Sequence, residues 1–190
     1  NVENVVISGV KVEATVESKL NSLKLESVVE DNVTTTANAN LNFAAAAVAG
    51  SDDVLNVSAK DTGATLTVNG FETVNVALGG KADTFTLNAN KSAGSSQTVK
   101  LTGGNKEGTA SLNFENENSS KLTDLTIDGS GLATGLSDVT LGAQAKGIKN
   151  VVVKGSTSAK NDFKVTVDAE KQSLTVIGGD KDDTFTATEA

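Results

Sequence analysis

Apolar and polar residues alternate along much of the chain, a pattern that predicts strands with one buried face. Residues 10–16 alternate without a break, and residues 38–43 alternate again. Residues 19–29 have mixed spacing that fits either a strand or a short helix. The alanines at 44–47 fit one helical turn or a tight bend, so the pattern leaves both of these segments open.

A second repeating unit places apolar residues at positions x, x+3 and x+5, and several copies directly follow a glycine. The last two apolar positions have the spacing of a strand, whereas the first sits where a bend would turn it inward. A self-similar unit that recurs along one chain is typical of a repeat architecture. Copies of the unit lie at 2–7, 71–76, 122–127, 136–141 and 148–153.

From residue 50 onward the strand centres follow one another every dozen residues or so, separated by Gly, Asn, Asp and Ser. This spacing predicts an all-β fold, and we expect a parallel β-helix (a β-solenoid) with two short strands in each turn. Val and Leu would form ladders inside, and Thr and Asn would stack outside. The alternative is a pair of β-sandwich domains of about 100 residues each. We treat 1–190 as a single solenoid-like region, in which 1–49 is less regular and 50–190 carries the repeats.

The chain lacks most of the side chains that enzymes commonly use in catalysis. The chain has no His, Cys, Trp, Tyr, Met or Pro, and lysine supplies all of its positive charge. Without His and Cys, we expect no zinc or copper site, no disulfide and no histidine general base. Glycosidase chemistry on paired carboxylates usually relies on aromatic sugar platforms, and phenylalanine is the only aromatic residue present. We therefore expect that the protein is not an enzyme.

The net charge of -8 points to cations as partners. Nucleic acids and anionic membrane surfaces both attract basic proteins, so neither is an expected partner. No stretch approaches the roughly 20 apolar residues of a membrane span, so we expect no membrane insertion. No signal peptide is visible, and because the sequence starts at Asn1 we expect a mature product or an excised part of a longer protein.

The strongest candidate site is the stretch GGDKDDTFT at 178–186, an acidic turn that leads into a predicted strand. Carboxylates packed this closely repel one another unless water or a cation separates them. Calcium prefers carboxylate and backbone carbonyl oxygens at glycine-rich turns. A solvated acidic turn is the alternative interpretation. The predicted calcium ligands in this stretch are Gly178, Asp180, Asp182 and Asp183, and related turns add Asp52, Asp53, Gly80 and Asp83.

The stretch resembles the RTX nonapeptide, the calcium-binding β-roll repeat G-G-x-G-x-D-x-U-x. Its two leading glycines, its aspartate and its apolar position are matched, while Lys181 stands where the motif has a glycine. The matching residues are Gly178, Gly179, Asp183 and Phe185.

Together with GFETVNV at 70–76 and LGGKADTFTL at 78–87, this stretch is similar to RTX-related surface-layer (S-layer) proteins of the type found in Caulobacter and Campylobacter. The resemblance covers 50–190 by motif and 1–50 by composition. It implies a structural protein that a type I system secretes, that folds with calcium, and that self-associates into a two-dimensional lattice on the bacterial cell surface. Cell-surface polysaccharide is the implied partner of another part of the parent protein. The alternative function is a stalk or binding module of a large RTX-type adhesin.

Overall fold

The computed structural model describes residues 2–31, 33–60, 63–79, 82–90, 95–104, 109–116, 122–141, 147–167 and 172–189. Within these ranges, two parallel sheets of eight strands each contain most of the regular structure, and successive strands alternate between the two sheets. The prediction of an all-β parallel solenoid is confirmed. The pair of antiparallel β-sandwiches is excluded, because neighbouring strands of both large sheets run parallel.

The strands are short, as expected. In chain order they are β1 (Val2–Ser8), β2 (Lys11–Val16), β3 (Leu20–Glu26), β4 (Val28–Glu30), β5 (Val33–Thr35), β6 (Asn38–Phe43), β7 (Val54–Lys60), β8 (Thr65–Asn69), β9 (Thr73–Leu78), β10 (Ala82–Asn90), β11 (Ser96–Gly103), β12 (Thr109–Asn116), β13 (Asp124–Leu132), β14 (Gly135–Leu141), β15 (Asn150–Lys154), β16 (Asp162–Val167), β17 (Ser173–Ile177) and β18 (Thr184–Glu189). Sheet 1 has the order β1-β3-β7-β9-β11-β13-β15-β17, and sheet 2 has the order β18-β16-β14-β12-β10-β8-β6-β2.

One strand of sheet 1 and the following strand of sheet 2 form one turn of the solenoid, which we call a rung. Turns inside a rung lie on one edge of the molecule, the within-rung edge, and turns that lead to the next rung lie on the opposite edge, the between-rung edge. The less regular N-terminal part also contributes strands to both sheets. Its irregularity is the antiparallel hairpin β4–β5, inserted between β3 and β6.

The core between the sheets consists of aliphatic ladders. In sheet 1, parallel pairing places equivalent residues of successive strands in register. Stacking strands about 4.8 Å apart brings such side chains into van der Waals contact and removes them from water. One fully buried ladder contains Leu55, Val74, Val99, Ile127 and Val153.

In three copies of the repeating unit the first apolar residue lies in a bend and points into the core, as predicted, whereas in the copies at 2–7 and 136–141 it lies in strands β1 and β14. Phe71, Leu122 and Ile148 lie outside the strands, yet each is at most 1% exposed. Phe71 meets Phe43 edge-on, with ring centroids 4.9 Å apart. These residues close the between-rung edge of the core.

The alanine-rich connection forms a short 3-10 helix, Ala45–Val48, so the helical alternative holds there. Ala47 and Val48 bury their side chains. Gly70 lies beneath Val48 with a φ of +81°, where a Cβ atom would collide with the valine side chain. The other open segment, 19–29, forms strand rather than helix.

The backbone at the end of β11 also requires a glycine, Gly103. Its φ is +77°, and an added Cβ would collide with the carbonyl oxygen of Leu78 on the neighbouring rung. That carbonyl accepts a hydrogen bond from the N–H of Gly104 at 2.9 Å. The backbone of one rung therefore passes directly over the backbone of the next.

Polar side chains stack outside the sheets, as predicted. Asn75 Nδ2 donates to Asn56 Oδ1 at 2.8 Å across two strands of sheet 1. In sheet 2, the hydroxyls of Thr166 and Thr188 lie 3.0 Å apart. Such pairs link side chains from rung to rung and leave polar ladders on the outer faces, although the Asn75 amide oxygen itself has no partner among the described residues.

Candidate functional site

The acidic turn 178–183 connects β17 to β18 on the within-rung edge of the last described rung. Its conformation is held by one carboxylate. Asp183 Oδ2 accepts a hydrogen bond from the N–H of Gly179 at 2.7 Å. Asp183 Oδ1 accepts from the backbone N–H of Asn161 at 2.8 Å and from Asn161 Nδ2 at 3.0 Å. Asp183 thus closes its own turn and joins it to the preceding rung.

These contacts control the charge of Asp183. Burial raises the pKa of the Asp183 carboxyl, but the N–H donors of Asn161 and Gly179, with the cation of Lys160, more than offset it. The pKa therefore lies below its ordinary value, and the carboxylate form is the one that the folded turn stabilises. A cation that approached Asp183 would share an oxygen atom that already accepts N–H donors.

Asp180 and Asp182 differ from Asp183 in their partners. All three residues are exposed, but Asp180 and Asp182 have no hydrogen-bond or ion-pair partner among the described residues. Their oxygens are free to meet water or a cation at the tip of the turn. In the part of the chain that the structure describes, no three Asp or Glu side chains come together as a ready-made metal cluster. A calcium ion here would need backbone carbonyls and water beside these two carboxylates.

The turn at 50–53 shares the motif but has its own cation. Asp53 is only 4% exposed. Its Oδ2 accepts from the N–H of Gly50 at 3.0 Å, and its Oδ1 is 2.6 Å from Lys19 Nζ. The Lys19 ammonium, which comes from the preceding rung, pairs with the carboxylate that the sequence predicts as a calcium ligand, and calcium binding by Asp53 stays a prediction. Asp52 is exposed and contacts only the hydroxyl of Ser51, at 3.4 Å, within the described residues.

Asp53 belongs to a polar ladder along the between-rung edge. Lys19, Asp53 and Glu72 each directly precede a strand of sheet 1 in successive rungs. Glu72 Oε2 accepts from the N–H of Asp53 at 2.9 Å. In the next rung, buried Gln97 donates from Nε2 to the carbonyl oxygen of Phe71 at 3.0 Å. The predicted metal ligand is therefore one member of a chain of contacts that crosses several rungs.

The remaining predicted ligands lie wholly or partly outside the described residues. Gly80 is outside them. The backbone of Asp83 lies in β10, and its side chain is outside the described set. The calcium prediction for this pair stays a prediction.

Sequence reasoning missed Asn161, which is fully buried. Its Oδ1 accepts from the N–H groups of Ser156 at 2.8 Å and of Leu136 at 3.0 Å, while Nδ2 donates to the carbonyl oxygen of Ser156 at 2.9 Å as well as to Asp183. A signal was available, because Asn161 precedes Phe163 by two residues, as Asp183 precedes Phe185. In both turns this position supplies the acceptor for backbone donors.

Sequence and structure comparisons matched no family model, no curated protein and no solved structure. The described part of the chain contains no helix with the length and hydrophobicity of a membrane span.

Proposed function

We propose that this chain is a structural segment of a bacterial surface-layer protein, which self-associates into a calcium-dependent two-dimensional lattice outside the cell. The observation that supports the proposal is the pair of eight-stranded parallel sheets with polar side chains stacked on their outer faces. Polar side chains repeated from rung to rung offer a row of similar contacts to neighbouring subunits. A protein whose faces associate in this way has a structural function.

The outer face of sheet 2 is the better candidate for a lateral contact. It contains a shallow polar groove of about 280 Å³, in which Asp138 and Lys164 lie among hydroxyl and amide side chains. Opposite charges on one face allow a second copy to pair with it in a defined register. Polar contacts of this kind are typical of interfaces whose subunits also exist free in solution.

Calcium acts, in this proposal, through the tip of the acidic turn. In the low calcium of the cytoplasm, the unpaired carboxylates of Asp180 and Asp182 repel each other and Asp183. After type I secretion, calcium binds between them, and its binding free energy adds to folding. Asp53 does not need the ion, because Lys19 already neutralises it.

A calcium titration tests this proposal directly. We expect calcium, and not magnesium, to raise the melting temperature followed by circular dichroism, and electron microscopy to show sheets in calcium that EDTA disperses. The double variant D180N/D182N should lose the thermal response, whereas D31N, at an exposed turn of the β4–β5 hairpin, should keep it. If EDTA changes neither melting nor assembly, the calcium-dependent lattice is refuted.

A stalk or binding module of a large RTX-type adhesin is the second candidate. The observation that favours it is the stacking of every rung along one axis, which makes a spacer whose length grows with rung number. Electron microscopy separates the two candidates, because a stalk remains a single particle at calcium concentrations at which a lattice former gives sheets.

A further inference from the structure

The ion pair between Lys19 and Asp53 differs from the other ion pairs in the described part of the chain. Among those residues, two lysine–carboxylate pairs join one rung to another, Lys19–Asp53 and Lys154–Asp128. Lys154 Nζ lies 3.5 Å from Asp128 Oδ2, and the Asp128 side chain is 21% exposed. Lys19 Nζ lies 2.6 Å from Asp53 Oδ1, and the Asp53 side chain is only 5% exposed. The Asp53 carboxylate is therefore shielded from water while it touches an amine.

The Asp53 side chain points to the inner side of sheet 1. Asp53 precedes the fully buried Leu55 by two residues, and residues two apart lie on the same side of a strand. Glu72 Oε2, on the following rung, accepts the N–H of Asp53 at 2.9 Å and fixes the backbone there. The Lys19 side chain comes from the preceding rung and is 50% exposed. The amine thus reaches an enclosed carboxyl group from the surface of the molecule.

The contacts of the Asp53 carboxyl group arrange its atoms for attack by the lysine nitrogen. A C–O bond is about 1.2 Å long, so Lys19 Nζ lies within about 3.8 Å of Asp53 Cγ. Reacting atoms in a productive arrangement lie about 3–3.5 Å apart, so a small shift of the lysine side chain is sufficient. The N–H of Gly50 donates to Asp53 Oδ2 at 3.0 Å. A backbone donor in this position stabilises the negative charge that develops on that oxygen during attack.

We propose that Lys19 and Asp53 condense into an isopeptide bond that joins two rungs covalently. One proton of the ammonium passes to Asp53 Oδ1 along the short hydrogen bond, which leaves a neutral amine, the nucleophilic form of lysine. Nζ then attacks Cγ, and the electron pair of the C–O double bond moves to Oδ2, against the N–H of Gly50. When that double bond forms again, the bond from Cγ to Oδ1 breaks, and Oδ1 leaves as water with a second proton from the nitrogen. The third proton stays on the amide nitrogen, so the step balances without an oxidant or a reductant.

The bond closes a loop around the least regular part of the solenoid. Lys19 and Asp53 are 34 residues apart, and the β4–β5 hairpin lies between them. The hairpin interrupts the alternation of strands between the two large sheets. A covalent link across this insertion fixes the register of the strands on either side of it. The inference depends neither on calcium nor on the proposed lattice.

Intact-mass spectrometry of the folded protein tests the bond. The wild type should be lighter than its sequence mass by one water. K19R keeps a cation beside Asp53, but the guanidinium stays protonated and does not attack, so the variant should fold and keep its full sequence mass. K154R is the matched control, because it changes the other pair that joins two rungs. It should lose one water like the wild type.

Tryptic digestion locates the bond. Trypsin cleaves after lysine, so the cross-link should leave 12–24 and 25–60 joined in one branched peptide, whose fragmentation shows two N-termini, at Val12 and Leu25. The proposal is overturned if the folded wild type keeps its sequence mass, if K19R also loses one water, or if K154R prevents the loss. A water loss without the branched peptide would overturn it as well, because the water would then have left from another part of the chain.

Discussion

Replacing Asn161 with alanine tests whether one buried amide joins neighbouring rungs. In the wild type its Oδ1 accepts from the N–H groups of Leu136 and Ser156, both of which are fully buried. N161A leaves these two donors without a partner in a site that the side chain had filled. The Nδ2 bonds are lost as well, to the carbonyl oxygen of Ser156 at 2.9 Å and to Asp183 at 3.0 Å, with a longer one to the carbonyl oxygen of Ala159 at 3.4 Å. Asp183 keeps its bonds from the backbone of residue 161 and from Gly179.

The expected loss follows from those two donors. A buried N–H left without an acceptor costs about 1–3 kcal/mol, so two of them cost about 4 kcal/mol. Loss of the Nδ2 bonds to the Ser156 carbonyl and to Asp183 adds about 1 kcal/mol each, and water that enters the vacated site recovers a similar amount. We therefore expect N161A to lower the free energy of unfolding by about 4 kcal/mol, which is about a thousandfold in the equilibrium constant.

Urea unfolding followed by circular dichroism measures this loss, and amide hydrogen exchange at Leu136 and Ser156 locates it. N113A is the matched control, because within the described residues the Asn113 side chain makes one long bond, of 3.4 Å to the Thr86 hydroxyl, and its loss should stay below about 0.5 kcal/mol. N161D keeps the acceptor but replaces the donor toward Asp183 with a second carboxylate oxygen, so it should also be destabilised at neutral pH. A loss of under about 1 kcal/mol in N161A, or one equal to that of N113A, would refute the reasoning.

Three further predictions concern single turns. Because the folded protein holds the pKa of Asp183 below its ordinary value, its carboxylate stabilises the fold above an unfolded pKa of about 3.9, and this contribution disappears as the pH falls through the lower folded pKa. Urea midpoints measured from pH 6 down to pH 3 should therefore fall less steeply for D183N than for the wild type. G103A places an alanine at a positive φ with its Cβ against the Leu78 carbonyl oxygen, so it should lower the free energy of unfolding in urea by about 2–4 kcal/mol. G147A has open space around the new Cβ and should lower it by under about 0.5 kcal/mol. K19M removes the cation from buried Asp53, so in EDTA the variant should lose about 2 kcal/mol of stability and melt at a lower temperature than the wild type. Calcium should raise the melting temperature of K19M more than that of the wild type. An identical calcium response in both proteins would contradict this.

Strand positions could be predicted because each strand carries its own signal. Alternation in 10–16 and 38–43 marks strands whose inward side is fixed by local chemistry alone. The bend position of the repeating unit could be predicted as well, because Phe71 and Ile148 are apolar residues just before a strand and are therefore expected to be buried. Because each rung repeats the same two strands, this local pattern was enough to predict the solenoid fold.

Partners could not be predicted, because they depend on register between distant residues. Lys19 and Asp53 are 34 residues apart, and the β4–β5 hairpin inserted between them hides their equivalence in the sequence. A one-residue shift of either strand would move the lysine to the other side of the sheet. The acidic turn could be found from its composition, but the sequence did not show which of its aspartates holds the turn and which are free of partners. Asp183 differs from Asp180 and Asp182 through its donors, which are Asn161 on the preceding rung and the N–H of Gly179 in its own turn.

The direction of the hydrogen bonds has a mechanical consequence. In both sheets, strands stack rung on rung, so the bonds between strands run mainly along the solenoid axis. A pulling force between the first and last rungs loads these bonds lengthwise, and they open one row at a time instead of resisting together in shear. Each row that opens releases one short length of chain. Under tension the molecule therefore extends in small steps at low force, and it absorbs mechanical work gradually where a sheared sheet would break at one high peak.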